Sequence, residues 1–201
     1  MQYSIQSHVS SALLEVRFVC ALESCKLSEI DFNAGLGAVQ MLGKSNFVAL
    51  IGGGKNPKFP QNKVSGEELY VSRKMLTAAM QVVIWDDAKQ KVAITLPVFS
   101  IVRGVRFSRT HIAVALQNSI HVYNFKTKPD LWHAFETADN PLGLCCLTPK
   151  ILAFPGRTLG QLQLVELATG NVSIIPAHTS PLRAIDISRD GEVLATASET
   201  V

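Results

Sequence analysis

Three glycines stand directly before a lysine in the stretch 50–64, LIGGGKNPKFPQNKV, a composition that phosphate-binding loops also use. A P-loop, however, needs the spacing G-x-x-x-x-G-K-[ST] and a helix whose N-terminus faces the phosphate. Here the glycines are contiguous, and the prolines of the following PKFPQN disfavour a helix. The stretch therefore predicts the end of a strand, a tight exit with positive φ at the glycines, and a loop.

Other residues that could carry chemistry lack the spacing that a site needs. His178, Asp186 and Ser198 match a catalytic triad in composition, but nothing places a base beside a strained nucleophile. The five histidines show no metal-ligand spacing, and the four cysteines form no C-x-x-C pair. We therefore expect no enzyme, no metal site and no cofactor, and interpret the cysteines as reduced, buried thiols.

Composition excludes further classes of protein. Hydrophobic residues make up 47% of the 201 residues, enough to form one large domain or two small ones. The 19 basic residues are scattered among 16 acidic ones, so no nucleic-acid-binding surface is predicted. The start of the chain lacks the pattern of a signal peptide, and no apolar run reaches the ~18 residues of a membrane span. These features predict a cytoplasmic protein with at most peripheral membrane contact.

The elements that must position these residues are short β-strands. From Val102 onward the polarity alternates with period two in HIAVAL, SIHVYNF, ILAFP, LQLVEL, NVSIIPA, LRAIDIS and EVLATAS. Residues typical of turns separate these segments. Upstream, NFVALIGGG and VVIWDDAKQKVAITL predict strands of an earlier unit, the second a hairpin that turns at residues 86–89.

The strands recur with a fixed period. Ile112, Ile151 and Val193 begin equivalent strands about 40 residues apart. Several strands per unit at this period are typical of β-propeller blades, whereas the alternation excludes helical solenoids. An immunoglobulin-type sandwich remains an alternative, although it does not explain the repeat.

A family resemblance rests on six motifs in one order: LIGGGKNPKFPQNKV, VIWDDAKQK, AFETADNPLGLC, ILAFPGRTLGQLQLVEL, IPAH and ATASE. Over about residues 35–199 the chain resembles the PROPPIN family, also called WIPI-type proteins, and looks most similar to its fungal, autophagy-related branch. The resemblance implies an all-β, WD40-type β-propeller that binds phosphatidylinositol 3-phosphate and 3,5-bisphosphate in autophagy and at endosomes or vacuoles. This chain would form a partial propeller of about four to five of the seven blades.

The departures from the family pattern predict an atypical domain organisation. Residues 1–34 match poorly and are expected to hold a partial first blade, and residues 35–201 blades two to five, the fifth incomplete. Residues 65–82 interrupt a predicted strand pair; we interpret them as a retained intron, the alternatives being a surface insertion or an amphipathic membrane helix. The family's Arg-Arg-Gly lipid-binding motif follows the fifth blade, and this sequence has no Arg-Arg pair. We therefore expect a truncated chain with weakened lipid binding.

The resemblance also implies site residues. His178 of the PAH motif, with Ser198 and Thr200, would donate hydrogen bonds to phosphate oxygens in the first of two headgroup pockets. The candidates for contact with a protein partner, such as an Atg2-like lipid-transfer protein, are the loop residues Lys55, Lys58, Phe59 and Lys63.

The resemblance places the chain peripherally on preautophagosomal, endosomal or vacuolar membranes. Two alternatives stand beside a phosphoinositide-binding scaffold in autophagy and trafficking. One is a protein-interaction propeller fragment without lipid binding, and the other is a non-functional truncated product.

Overall fold

A computed structural model describes residues 3–10, 13–20, 29–30, 35–42, 45–53, 81–98, 100–188 and 190–199. The chain divides into two compact units, residues 1–100 and 101–201. Within the described ranges all regular structure is β, as the alternating polarity predicts, and the strands form five antiparallel sheets. No helix in these ranges is long and apolar enough to cross a membrane.

The described residues of the first unit form two sheets. Sheet 1, in the region predicted to hold a partial first blade, consists of β1 (Tyr3–Ser10), β2 (Leu13–Cys20) and β3 (Glu29–Ile30). Sheet 2 consists of β4 (Leu36–Met41), β5 (Phe47–Gly52), β6 (Gln81–Asp86) and β7 (Lys91–Pro97). Residues 81 and 82, which the sequence assigned to the insertion, belong to β6 and pair with β7. The rest of the predicted insertion lies outside the described residues.

The glycines at the end of β5 allow two backbones to approach closely, and the predicted positive φ at Gly52 and Gly53 is wrong. Gly52 is still part of β5, where it pairs with Leu36, and the described glycines with positive φ all lie beyond residue 142. A Cβ on Gly53 would lie 2.5 Å from the Cα of Gly37, closer than Cβ atoms approach other atoms. A side chain at position 53 would therefore push β4 away from the end of β5.

The predicted hairpin between β6 and β7 is present, and the aspartate of the Trp-Asp dipeptide anchors it. The buried carboxylate of Asp86 accepts hydrogen bonds from the Asn46 side chain and, at 3.2 Å, from the Lys89 backbone N–H. Lys89 Nζ lies 3.5 Å from the same carboxylate. Burial acts to raise the pKa of Asp86, but these hydrogen bonds and the Lys89 charge outweigh it and lower the pKa. The charged aspartate therefore stabilises the turn.

The second unit contains three sheets. Sheet 3 consists of β8 (Val102–Phe107), β9 (His111–Leu116), β10 (Ser119–Asn124) and β11 (Leu131–Glu136). Sheet 4 consists of β12 (Cys146–Leu147), β13 (Ile151–Pro155), β14 (Gln161–Glu166) and β15 (Val172–Pro176). Sheet 5 pairs β16 (Leu182–Ile187) with β17 (Leu194–Ser198). Sheets 3 and 4 are meanders, in which each strand pairs with the next one along the chain.

Apolar side chains fill the spaces between these three sheets. Sheets 3 and 4 share a core in which the rings of Phe135 and Phe154 lie 5.2 Å apart. Sheets 4 and 5 share a smaller one, in which Leu182 and Ile185 pack against Ala153 and Leu162. The alanines of β9 are fully buried, as expected of a strand that is covered on both faces.

A hydroxyl residue caps the turn between the first two strands of each of these sheets. The side chains of Ser108 and Thr148 accept hydrogen bonds from the backbone N–H groups of His111 and Ile151, both at 2.9 Å. Ser188 accepts one from Val193 N–H at 2.8 Å. These bonds place His111, and not the predicted Ile112, in the position equivalent to Ile151 and Val193.

Candidate functional site

The loop between β15 and β16 carries His178. The imidazole of this residue contacts β17, the strand that pairs with β16. Nε2 of His178 lies 2.9 Å from the hydroxyl oxygen of Thr196, and both residues are half-buried. Successive side chains of a strand point to opposite faces, so Thr196 and Ser198 share one face of β17. The structure thus places His178, Thr196 and Ser198 along one face of sheet 5, the face that packs against sheet 4 through Leu194.

The backbone of His178 is held by the turn that precedes β14. His178 N–H donates a hydrogen bond to the carbonyl oxygen of Gly160 at 3.0 Å. Gly160 has a φ of +74°, and a Cβ at this position would overlap the carbonyl oxygen of His178. Glycine is therefore required by both the conformation and the close approach, and the turn fixes where His178 lies.

Three further contacts tie the same loop and the start of β16 to the end of β17. Glu199 N–H donates to the carbonyl oxygen of Pro181 at 3.1 Å, and the Ser180 hydroxyl donates to the carbonyl oxygen of Glu199. The side chains of Arg183 and Glu199 form an ion pair whose partners are 52% and 36% exposed. At that exposure the ion pair contributes about 0–1 kcal/mol, so the two hydrogen bonds carry most of the connection.

A groove lies beside this loop and is open to solvent. It has a volume of about 230 Å³ and is lined by residues 138–142, Leu144, Pro155, residues 158–161, residues 181–183 and Glu199. Leu142 and Leu159 on its rim are 50% and 59% exposed. The loops that contribute Leu142 and Leu159 flank sheet 4, so the groove and His178 occupy the same region of the second unit.

The structure describes only some of the site residues predicted from the sequence. The structure brings His178 and Ser198 to one face of sheet 5. Thr200 lies outside the described residues, as do all four predicted partner-contact residues: Lys55, Lys58, Phe59 and Lys63. Sequence reasoning missed Thr196, although its position two residues before Ser198 in a strand places both on the same face.

The geometry does not form the triad that composition allows. The imidazole of His178 contacts Thr196, and the carboxylate of Asp186 accepts a hydrogen bond from the backbone N–H of Ile187 at 2.9 Å. Asp186 pairs with Ala195 and therefore points to the opposite face of sheet 5 from Thr196. His178 and Asp186 thus have no geometry for a shared proton relay.

The cysteines of the second unit are free thiols. Burial raises the pKa of Cys145 to about 12, which makes a reactive thiolate unfavourable. Burial also raises the pKa of Cys146, whose thiol donates to the carbonyl oxygen of Ile185 at 2.9 Å. In the part of the chain that the structure describes, no three His, Cys, Asp or Glu side chains are grouped to hold a metal ion.

Comparison with known proteins identifies fungal relatives. SVP1-like protein 2 of Emericella nidulans is 60% identical over 159 residues, which cover 79% of this chain and 44% of that protein. The Neurospora crassa protein of the same name is 46% identical over 177 residues, covering 88% of this chain and 37% of that protein. The chain belongs to the PROPPIN family. It spans less than half the length of these PROPPIN relatives, and no protein-family model matches it.

Solved PROPPIN structures have the same fold. Kluyveromyces lactis Hsv2 matches 97% of this chain and 54% of its own with a TM-score of 0.69 at 19% identity. The complex of KlAtg21 with the coiled coil of AgAtg16 matches 94% and 60% with a TM-score of 0.61 at 17% identity. The predicted partial β-propeller is thereby confirmed, and sheets 2, 3 and 4 are four-stranded blades of the PROPPIN fold.

Proposed function

We propose that this chain is part of a phosphoinositide-binding scaffold that acts in autophagy and in endosomal or vacuolar trafficking. It would bind peripherally to preautophagosomal, endosomal or vacuolar membranes that carry phosphatidylinositol 3-phosphate or 3,5-bisphosphate. The observation that carries the proposal is the placement of His178 and Ser198 along one face of sheet 5, in a PROPPIN fold.

These side chains have the chemistry that a phosphate needs. A hydroxyl and an imidazole N–H both donate hydrogen bonds to anionic oxygens, and bonds to a charged acceptor are stronger than neutral ones. The site is half-buried, which reduces competition from water for these donors. Ser198 ends β17, so Thr200, two residues further on, is the third donor that we propose.

A scaffold role fits the described residues better than catalysis. The two thiols have raised pKa values, so neither is an activated nucleophile. The hydroxyl that contacts His178 belongs to Thr196 in the middle of a strand, where the unstrained backbone does not present a nucleophile. Ligand binding, unlike catalysis, needs no chemical group beyond the ones that these residues supply.

Liposome flotation tests the proposal. We expect the chain to float with vesicles of phosphatidylcholine that contain phosphatidylinositol 3-phosphate, more weakly than a family member with the Arg-Arg-Gly motif because this sequence has no Arg-Arg pair, and not with phosphatidylcholine alone. The double variant His178→Ala, Ser198→Ala should weaken flotation by about tenfold or more, the loss of roughly two hydrogen bonds to an anion. His133→Ala, which removes an exposed histidine from β11, is the matched control. Equal flotation on both vesicles would remove the lipid-binding function and leave a protein-interaction propeller.

A competition experiment distinguishes recognition of the phosphoinositide headgroup from recognition of phosphate alone. The soluble headgroup inositol 1,3-bisphosphate should displace the chain from vesicles at lower concentration than inorganic phosphate does. If inorganic phosphate competes equally well, the site recognises an isolated phosphate and not the phosphoinositide headgroup.

We propose protein docking as a second function of the same scaffold. The support is that a PROPPIN, KlAtg21, is known in complex with the coiled coil of AgAtg16. In this chain the candidate contacts are Lys55, Lys58, Phe59 and Lys63, and the proposed partner is an Atg2-like lipid-transfer protein. Isothermal titration of such a partner into the chain and into the variant Lys55→Glu, Lys58→Glu tests it. Unchanged affinity would show that this loop is not the docking site.

A further inference from the structure

The groove beside the loop of His178 is lined by two exposed leucines. Leu142 and Leu159 are 50% and 59% exposed, and they lie on two different loops. Single exposed aliphatic side chains are common on protein surfaces and need no explanation. Two that line the same groove form an apolar surface, which is the kind of feature that marks a binding site.

The loop that carries Leu142 is fixed against sheet 3. The side chain of Asn140, which is 2% exposed, accepts a hydrogen bond from Leu144 N–H at 2.8 Å and donates one to the carbonyl oxygen of Leu144 at 3.1 Å. Gly143 has a φ of +62°, and a Cβ at this position would lie 2.6 Å from the carbonyl oxygen of Arg103 on β8. The exposure of Leu142 is therefore a property of a well-held loop.

The loop that carries Leu159 is held by backbone hydrogen bonds. Gly156 N–H donates to the carbonyl oxygen of Gln161 at 2.7 Å, and Gln161 N–H donates to that of Thr158 at 3.1 Å. Ala138 N–H donates to the carbonyl oxygen of Gly156 at 2.7 Å, which joins the two leucine loops to each other. A groove whose walls are fixed before a partner arrives loses little conformational entropy on binding.

The size of the groove indicates what kind of molecule it accepts. Its volume of about 230 Å³ is smaller than the roughly 300–1,000 Å³ of pockets that enclose a small-molecule ligand. A groove of this size, open to solvent and with apolar side chains on its rim, instead accommodates a few side chains of a peptide segment.

The charges of the groove add a second requirement. Of the described residues, three charged ones line it, namely Asp139, Arg183 and Glu199, and the last two pair with each other. Asp139 is exposed, and its carboxylate accepts a hydrogen bond from the uncharged side chain of Gln117. None of the ion pairs among the described residues includes Asp139. The groove therefore has one uncompensated negative charge, which a basic side chain complements.

We propose that this groove binds a short segment of a protein partner that places two apolar side chains against Leu142 and Leu159 and a lysine or arginine beside Asp139. The apolar contacts remove both leucines from water, and the cation compensates the carboxylate. His178, Ser198 and the loop residues proposed for partner contact do not line the groove, so this inference does not depend on the proposed function.

Selection of random dodecapeptides on phage against the intact chain tests the proposal. We expect the enriched peptides to share two apolar residues and a lysine or arginine. A synthetic peptide of the consensus sequence should bind the double variant Leu142→Ala, Leu159→Ala about tenfold or more weakly, and Asp139→Asn about threefold to fivefold more weakly. Ile174→Ala and Glu192→Gln are the matched controls, because they change an exposed isoleucine and an exposed carboxylate outside the groove.

A charge reversal distinguishes direct contact from damage to the loop. Asp139→Lys should weaken binding of the consensus peptide, and replacement of the basic residue of the peptide by glutamate should restore it. A misfolded loop cannot produce this restoration. The proposal is wrong if no peptide is enriched, if the enriched peptides bind the double leucine variant as they bind the wild type, or if the charge reversal restores nothing.

Flotation with the vesicles that contain phosphatidylinositol 3-phosphate separates the groove from lipid binding. The double leucine variant should float as the wild type does while it loses the peptide. A variant that loses flotation and keeps the peptide would show that the leucines contact the membrane, and it would overturn docking. A wild type that binds the peptide and does not float would support docking and remove the proposed lipid function.

Discussion

At the scale of single residues, two glycines in the turns of sheet 4 have nearly the same positive φ and different surroundings. Gly160 has a φ of +74° and Gly170 a φ of +76°. At Gly160 a Cβ would overlap the carbonyl oxygen of His178, whereas at Gly170 the nearest atom is 3.8 Å away, on the ring of Trp132. The comparison separates the cost of a positive φ from that of a steric overlap.

Gly160→Ala should therefore destabilise the chain more than Gly170→Ala. A positive φ alone costs an alanine about 1–2 kcal/mol, and the overlap at Gly160 adds to this. Urea unfolding followed by circular dichroism measures both free energies of unfolding. Equal losses in the two variants would mean that the loop of His178 moves freely away from the turn.

Cys145 makes stability depend on alkaline pH. Burial raises its pKa to about 12 from an ordinary value of 9.0. The folded chain thus keeps its thiol proton while the unfolded chain loses it. This contribution is fully present below pH 9 and decreases as the pH rises toward 12, by at most about 1.4 kcal/mol per pH unit. Unfolding free energies of the wild type and Cys145→Ala between pH 8 and pH 11 test this, and the variant should show the shallower decline. Parallel curves would contradict it, because all other groups titrate alike in both proteins.

At the scale of elements, the apolar core between sheets 3 and 4 contains more buried residues than the one between sheets 4 and 5. Phe154 on β13 is fully buried and packs against Phe135 on β11. The capped turn of Thr148 leads into the same strand. The packing between sheets 3 and 4 and the hydrogen bonds of the Thr148 turn thus both stabilise β13.

Phe154→Ala should cost about 3–5 kcal/mol, because it removes a buried ring and leaves a cavity between two sheets. Val193→Ala, at a residue that is 65% exposed, should change stability by less than about 0.5 kcal/mol. Denaturant unfolding measures both changes. A loss below about 1 kcal/mol for Phe154→Ala would show that the two sheets do not unfold cooperatively.

Thr148→Val tests the turn cap with little change in shape. Its hydroxyl oxygen accepts hydrogen bonds from Ile151 N–H at 2.9 Å and from Lys150 N–H at 3.3 Å. We expect a loss of about 1 kcal/mol, and Thr148→Ser should restore most of it. The midpoint of thermal unfolding gives the comparison. Failure of serine to restore stability would assign the effect to the methyl group.

At the scale of the whole molecule, exposed apolar strands are a risk for association. β15 lies at the edge of sheet 4, and Ile174 on it is 61% exposed. An edge strand offers unpaired backbone groups to another chain, and apolar side chains strengthen such pairing. The second unit therefore has a buried apolar interior and an exposed strand edge that can pair with another chain.

Ile174→Thr should slow aggregation at micromolar concentration without lowering the free energy of unfolding by more than about 0.5 kcal/mol. Static light scattering over several hours measures the aggregation rate. Val193→Thr removes a similarly exposed aliphatic side chain that lies outside the strands, and it should have no effect on aggregation. A similar reduction in both variants would show that exposed apolar area matters and that the strand edge does not.

The sequence determined the fold class and the family. Alternation of polarity and the residue types of turns are local properties, so β9, β10 and β13 to β17 were predicted within a few residues, whereas β8, β11 and β12 were not named from the sequence. The order of six motifs was specific enough to indicate the PROPPIN family, which the fungal relatives confirm. His178 and Ser198 could be named from those motifs alone.

Only the tertiary structure decided which residues meet. His178 and Thr196 are 18 positions apart and come together because β16 and β17 pair in one register beside the Gly160 turn. The sequence aligned Ile112 with Ile151 instead of His111, and assigned Gly53 to a positive-φ turn, because register and backbone contact are set by strands distant in the chain. Local patterns thus predicted the elements, and long-range pairing decided their contacts, since a hydrogen bond between distant residues leaves no periodic trace in the sequence.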